Sequence, residues 1–300
     1  MAGGVRGLSL SAVWSSYSCW VAPDRLVPRS LVWATDLDVL ALDRVLERRS
    51  GYLVVRSPGN PEYYWGNFLL FDDPPGKSEG VRWEALFDEA FADEPRVRHR
   101  TFAWDTTDGR LGVAREEFEA RGYRVEETIG LVAEAGALLP HDRGNREVQV
   151  RALDPFGDSE LWDGVLELQI AGRDPVHEEG EYRAFSRARQ VELRELFQAG
   201  RGTWYVALAR NTTQVVGSCG IVVTTGRGRY QAVDTALAYR RRGICSRLVV
   251  EASRLSMEAF GTERFVIAAD VGYHALMLYE SLGFARRERV AGVLLMPSHG

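Results

Sequence analysis

The chain has 300 residues, 45% hydrophobic and 26% charged, with a formal net charge of -5. This is an ordinary globular composition; the length suits two domains of about 150 residues, each able to bury a core, and the acidic balance does not favour a general nucleic-acid role. The three cysteines, Cys19, Cys219 and Cys245, are far apart and odd in number, and the five histidines show no ligand spacing, so neither a disulfide framework nor a metal site is expected and a reducing cytoplasm is the simplest setting.

In chain order, Arg6 precedes the run Leu8 to Ala22, which vaguely resembles a signal peptide. Five serines, two tryptophans and a tyrosine make that run a poor apolar core. Residues 1–28 are expected to be an overcalled start or a flexible arm, and no stretch is long and apolar enough to span a membrane. Tyr52 to Arg56 and Trp65 to Phe71 read as strands, and Trp83, Leu86, Phe87 and Ala90 make a helical stripe. Arg100 to Trp104 is a strand, Glu116 to Arg121 a short helix ended by Gly122-Tyr123, and Glu127 to Ala133 a strand. The polar segment 139–146, with Pro and Gly, reads as a linker.

A clearer α/β succession follows. Val148 to Leu153 alternates as a strand. Ser159 to Ile170 is a helix with Asp158 available as its cap, residues 172–180 are loop, and Glu181 to Gln198 is a second helix. Trp204 to Ala209, Val215 to Thr224 and Tyr230 to Leu237 are strands. Ile244 to Phe260 is a helix, Phe265 to Ala269 a buried strand, Tyr273 to Leu282 a helix stopped by Gly283, and Arg289 to Met296 the last strand. Phe118-Glu119-Ala120-Arg121-Gly122-Tyr123 parallels Tyr279-Glu280-Ser281-Leu282-Gly283-Phe284, both ending a helix before a final strand, which points to an internal duplication.

Chemistry concentrates in the second half. From Val233 to Ser246 a strand runs through Tyr239-Arg240-Arg241-Arg242-Gly243 straight into a helix. The unpaired N–H groups and the partial positive charge at such a junction make an anion site suited to a pyrophosphate, with arginines adding charge-assisted contacts and Gly243 allowing close approach. The turn alone fits a solvated basic helix cap equally well. With the later helix ending Tyr279-x-x-x-Gly283-Phe284, preceded by Ala275, the order and spacing resemble the cofactor-binding and C-terminal motifs of the GNAT superfamily of acyl-CoA-dependent N-acetyltransferases. Arg240 and Gly243 match its Arg/Gln-x-x-Gly-x-Gly/Ala turn. Cys245 replaces the last small residue, and Gly272 stands where the family often has Asn. The resemblance covers about Val148 to Met296.

The resemblance implies two tandem GNAT-like domains of α/β class, each a mixed, mostly antiparallel sheet flanked by helices: residues 29–138 a degenerate copy and 147–300 the catalytic one. It implies acetyl transfer from acetyl-CoA to the amine of a small molecule or peptide. Backbone at Thr235, Ala236 and Leu237 would pair with pantetheine, Arg240 and the N–H groups of Arg241, Arg242, Gly243, Ile244, Cys245 and Ser246 would hold the pyrophosphate, and Tyr279 would protonate the leaving thiolate. The base is open between Asp234, the loop His177 to Glu181 and a water. His177, Glu178 and Glu181 lie where the family places acceptor-binding residues, although an acidic helix start explains them as well. Acyl-CoA decarboxylation or O-acyl transfer on the same site, and non-catalytic acetyl-CoA or partner binding, are the rival readings. Lys77 is the sole lysine, through codon bias or through selection against lysines the enzyme could acetylate. In the first half Asp72 to Gly80 carries acids and two prolines in place of the basic turn, and Phe118 replaces the tyrosine, so that copy is expected to have lost acetyl-CoA binding.

Overall fold

A computed structural model describes residues 26–297 of the chain. The arm expected over residues 1–28 lies outside the described residues up to residue 25. In the first half the elements are α1 (Leu31–Asp38), β1 (Val45–Arg49), β2 (Tyr52–Arg56), β3 (Phe68–Phe71), α2 (Glu79–Ala90), β4 (Arg100–Trp104), α3 (Ala114–Phe118) and β5 (Arg124–Glu134). In the second they are β6 (Gln149–Ala152), α4 (Ser159–Gly172), α5 (Glu179–Gln198), β7 (Gly202–Leu208), β8 (Val215–Thr224), β9 (Arg227–Thr235), α6 (Ile244–Phe260), β10 (Arg264–Asp270), α7 (Leu276–Ser281) and β11 (Ala285–Leu295). No helix among the described residues is long and apolar enough to cross a membrane.

All eleven strands join one sheet in the order β1-β2-β3-β4-β11-β5-β10-β9-β8-β7-β6. Only β3/β4 and β9/β10 pair in parallel, each across a helical connection, as a βαβ unit requires. The final strands are exchanged between the halves: β5 pairs with β10 over seven residues, and β11 pairs with β4. The exchanged strands pair with each other at the centre of the sheet, Arg124 opposite Leu294 and Val132 opposite Ala285. The duplication is visible in local geometry. Gly122 and Gly283 both take positive φ, 86° and 104°, and Tyr123 and Phe284 donate their N–H to the Phe118 and Tyr279 carbonyls at 3.0 and 3.1 Å.

Strand alternation divides the core between the faces. One face carries α2, α3, α6 and α7, with Phe118, Trp83, Leu248 and Tyr279 buried beneath them. The other carries α1, α4 and α5, over Phe68, Trp33, Trp162 and Leu196. Helix α1 and strand β1 have no counterpart in the sequence reading. Residues Val32 to Thr35 and Leu37 of α1 are all buried, so it shows no amphipathic period, the usual signal of a helix. It packs against the central strands: a Cβ at Gly130 would meet Val32 at 2.7 Å. Glu288 of β11 accepts from Ser30 and from the Leu31 N–H at its N-terminus. Arg189 and Arg201 donate to its C-terminal carbonyls at Val39 and Asp38, while Arg229 and Arg227 pair with Asp36 and Asp38 at 2.6 Å each. Negative charge at one end and guanidinium at the other is the order the helix dipole favours.

Several boundaries differ from expectation. Asp158 stands at the N-cap of α4 in a left-handed conformation, but its carboxylate takes Arg151 and the Asp154 N–H instead of capping the helix. Helix α5 begins at Glu179, because Glu178 caps it. Residues 64–66 are a 3-10 turn rather than strand, since Asn67 ties Ser57, Asn60 and Tyr63 into a compact loop. Strand β9 stops at Thr235, and Leu237–Tyr239 is a 3-10 turn. Helix α7 starts only at Leu276, after the turn in which Tyr273 donates to Asp270.

Candidate active site

The sheet opens between β9 and β10. Their parallel pairing runs only from Arg227/Arg264 to Arg229/Val266, yet β9 continues to Thr235 and β10 to Asp270. Strand β10 stays paired with β5 as far as Asp270/Thr128, so it diverges from β9 while held on its other edge. The strands of the cleft therefore offer each other unpaired backbone, an edge that an extended ligand could complete. The corresponding β3/β4 pair stays closed to its last residues, Phe71/Trp104.

A bulge in β9 decides what faces this cleft. The register with β8 shifts between Ser218 and Gly220, and Ala232 takes φ 41°. The extra residue re-aims the side chains beyond it. Tyr230 and Val233 face the α6 core, whereas Asp234 emerges on the α5 side beside Gln231, Tyr182 and Ser186, in a cavity of about 190 Å³. Simple alternation from Tyr230 would have put Asp234 under α6. Its carboxyl has no hydrogen-bond partner among the described residues, and burial pushes it up to about 6 against the opposing field of Arg240. A carboxyl near that value is protonated or free on demand near neutral pH, as general-base work requires.

Beyond β9 the chain passes through the basic turn into α6. None of the N–H groups from Arg241 to Ser246 has an acceptor among the described residues; the first to return inward is that of Arg247, to the Gly243 carbonyl at 3.2 Å. Six successive free amides at the start of a 17-residue helix make an anion cradle. Arg240, Arg241 and Arg242 are exposed around it. Thr235 and Leu237 border the cradle, but the Ala236 N–H is spent on the Val216 carbonyl, so Ala236 is withdrawn from the backbone edge expected to pair with a ligand. Gly243 has φ 72°, and a Cβ there would overlap the carbonyl oxygen of Arg143; a Cβ at Gly283 would overlap that of Ala137. Close packing of the segment joining the halves thus adds its own demand for both motif glycines. Asn145 in that segment donates from its backbone and its amide to the Gly243 and Arg242 carbonyls, each at 3.0 Å. Holding those carbonyls inward leaves the amides of the turn facing out. Asn145 was not found from sequence, and only its position in a polar linker could have marked it.

Tyr279 is 2% exposed under α6, and its hydroxyl makes no hydrogen bond among the described residues. Burial first, then Cys245, Tyr273, Cys219 and Asp234, push the phenol far above its ordinary value, so it holds its proton throughout the neutral range. Cys245 is also pushed up, to about 12, by burial and by Asp234. It stays a thiol and fits packing rather than nucleophilic chemistry.

His177, Glu178 and Glu181 line a cavity of about 370 Å³ between the halves. Glu178 accepts from the Glu181 N–H at 2.8 Å as the cap of α5, and the backbone N–H groups of Gly180 and then Glu181 hold its carboxyl below the usual range. The opposite wall, unforeseen from sequence, comes from the first half: Tyr63, Tyr64, Trp65 and His99. The run Tyr63-Tyr64-Trp65 was the available signal, and only Trp65 of it fell within a predicted element, the strand Trp65 to Phe71. His99 is buried against the Asn67 carbonyl and its imidazole is lowered to about 4, so it is a neutral wall group.

The equivalent junction in the first half is filled from within. Ser78, at the N-cap of α2, has φ 62° where Gly243 has 72°. Its N–H donates to Glu117 at 2.7 Å and that of Gly76 to Glu79 at 2.8 Å. Two carboxylates occupy amides that an anion would need, and Phe118 sits where the second half has Tyr279. Stacked Phe71 and Trp83, 3.7 Å apart, fill the core beside them.

Residues 162–284 match the model of the Acetyltransferase (GNAT) family. Solved structures similar to the chain include a functionally unknown conserved protein from Staphylococcus epidermidis (TM-score 0.67, 16% identity, 85% of this chain and 94% of that one). A GCN5-related N-acetyltransferase from Kribbella flavida follows at TM-score 0.61 and 14% identity, covering 90% and 95%. A tandem GNAT protein from the clavulanic acid biosynthesis pathway has TM-score 0.54 and 14% identity, covering 91% of each chain. At these identities the likeness carries the fold alone. No curated protein matches the sequence. The fold is a tandem GNAT fold, and the match to the family model lies in its C-terminal half.

Proposed function

We propose that the chain is an N-acetyltransferase that moves the acetyl group of acetyl-CoA directly to the amine of a small molecule. The observation that carries this reading is the open β9/β10 cleft, with the free amides of Arg241 to Ser246 beyond the end of β9 and the unpaired Asp234 carboxyl on β9 itself; Tyr279, buried under α6 with no hydrogen bond to its hydroxyl, is the acid we assign to it. A pyrophosphate fits the amide cradle and its arginines, and an extended pantetheine arm fits the unpaired strand edge. Asp234 takes a proton from the acceptor ammonium. The amine nitrogen bonds to the thioester carbonyl carbon, the C–S bond breaks, and Tyr279 gives its proton to the departing sulfur. The bonded nitrogen gives its second proton to solvent as the amide forms, the proton held by Asp234 also returns to solvent, and solvent reprotonates Tyr279, so one proton is released per turnover. Residues 147–300 act as the catalytic unit and 29–138 as a non-binding one, joined by 139–146 and by the exchanged strands. The scattered thiols suit work in the cytoplasm.

The test is acetyl-CoA turnover with an amine panel, following free thiol and acetylated product together. Tyr279→Phe should lower kcat by at least a hundredfold with acetyl-CoA affinity retained. Thiol release at wild-type rate in that variant removes Tyr279 as the acid, and carbon dioxide release without an acceptor replaces transfer by decarboxylation.

A further inference from the structure

The cavity between the halves carries information about the acceptor. Its volume of about 370 Å³ is that of a small-molecule site. Its walls are aromatic from both sides: Tyr63 meets Phe185 across the junction at 5.7 Å, Tyr182 stands 6.0 Å from Phe185, and Tyr64 packs on His99 at 4.8 Å. Flat walls of this kind favour a planar ring over a flexible chain. Tyr63, Tyr182 and Phe185 also line the adjoining cavity that contains Asp234, so the slot leads toward the cleft.

Charge at the inner end of this path is negative. Glu62 and Glu181 line the slot without ion-pair partners among the described residues, but they are exposed, as are Arg96 and Arg98, so water and salt screen both signs there. Asp234 waits at the inner end. Near it, Arg229 is paired with Asp36 and Arg189 with Glu192, while Arg240, whose field reaches Asp234, is exposed.

We infer that the acceptor is a primary amine carried on a short alkyl arm from a planar aromatic ring, seated between Tyr64 and Phe185 so that both halves of the chain set its specificity. The ring fills the aromatic slot, and the arm carries the ammonium past Tyr63 and Tyr182 toward Asp234. A carboxylate next to the amine would be carried with it toward Asp234, so free aromatic amino acids are rejected. A polyamine satisfies the charge but leaves the slot unfilled. The inference rests on the proposed amine transfer, but the binding site it names can be tested apart from turnover.

The experiment is calorimetric titration of the full chain with tryptamine, 2-phenylethylamine, spermidine and phenylalanine, with acetyl-CoA titrated separately, followed by steady-state kinetics. Tryptamine and phenylethylamine should bind at least tenfold more tightly than spermidine or phenylalanine. Tyr64→Ala and Phe185→Ala should each raise Kd and KM for tryptamine at least tenfold, with kcat and the acetyl-CoA Kd within about threefold of wild type, and Tyr64→Phe should restore binding. Equal or tighter binding of spermidine or phenylalanine overturns the inference, as does an unchanged tryptamine Kd in both alanine variants. Acetyl-CoA binding without any aromatic amine binding overturns it while leaving the transfer reading intact. Aromatic amine binding that depends on Tyr64, without acetyl-CoA binding, supports the site and removes the transfer reading.

Discussion

Replacing Asp234 by Asn should abolish turnover and yet stabilise the protein at neutral pH. Burial moves this carboxyl from 3.8 to about 6, which at 1.36 kcal/mol per pK unit disfavours its charged form in the folded state by about 3 kcal/mol. Between those two values the folded chain holds a proton that the unfolded chain has released. Ionisation therefore opposes folding, and stability falls as pH rises from about 4 to about 6. Asn has nearly the same shape and no charge, so its gain is close to nil near pH 4 and approaches about 3 kcal/mol, as an upper bound, at pH 7.5. At roughly 2 °C per kcal/mol for a chain of this size, the variant should melt roughly 5 °C higher. Thermal unfolding of both proteins at pH 4.5, 6 and 7.5, at one scan rate, reads the difference. A variant that melts lower at pH 7.5 would mean that Asp234 serves as an ion-pair partner of Arg240. A gain equal at all three pH values would mean that its charge is not the cause. Either result refutes the argument for a desolvated base.

The same carboxyl predicts that kcat/KM rises through about pH 6 and that no falling limb appears below pH 9, because Tyr279 keeps its proton; a pH–rate profile checks both. Changing Arg240, Arg241 and Arg242 together to Ala should weaken acetyl-CoA at least tenfold and flatten the salt dependence of its Kd, with the unfolding midpoint within 2 °C of wild type, since all three are exposed. Acetyl-CoA should bind with a stoichiometry of one per chain, and Phe118→Tyr should not create a second site, because Glu117 and Glu79 still hold the Ser78 and Gly76 amides before α2. Two equivalents in calorimetry would contradict that reading.

The second half was legible because its signals are local. The basic turn, the helix read over Ile244 to Phe260, and the glycine stop at Gly283 each depend on neighbours in sequence. What sequence reasoning missed depends on contacts distant in the chain. Helix α1 is apolar around most of its surface because it lies against the central strands, clamped by arginines from far along the chain. The facing of Asp234 follows from a one-residue bulge at Ala232, and a non-glycine bulge carries no sequence signature. The turn pattern marks Gly243 as a residue of unusual conformation, but the Arg143 carbonyl that occupies the place of its missing Cβ lies a hundred residues away in the chain and leaves no local mark. The cavity wall at Tyr63, Tyr64 and Trp65 required the knowledge that two halves meet there, and the exchange of β5 and β11 is invisible to any periodicity.

On the proposed reading, that exchange gives the first half a role in catalysis without a ligand of its own. The cleft exists only while β10 diverges from β9, with which it shares three residue pairs; seven pairs to β5 hold it in place. Strand β11 likewise depends on β4 and β5, both from the first half. Residues 139–300 alone would leave the β10 edge and both edges of β11 without partners, exposing buried residues such as Phe265, Val290 and Val293 and a strand edge prone to association. This fragment should fail to unfold cooperatively and should aggregate, although it contains the cradle, Asp234 and Tyr279. Co-expression of residues 26–138 should restore a soluble complex and acetyl-CoA binding, because β5 returns with it. A fragment of residues 139–300 that is monomeric, melts cooperatively and binds acetyl-CoA as the full chain does would show that β9 and β10 part unaided, and the first half would then act on the acceptor alone.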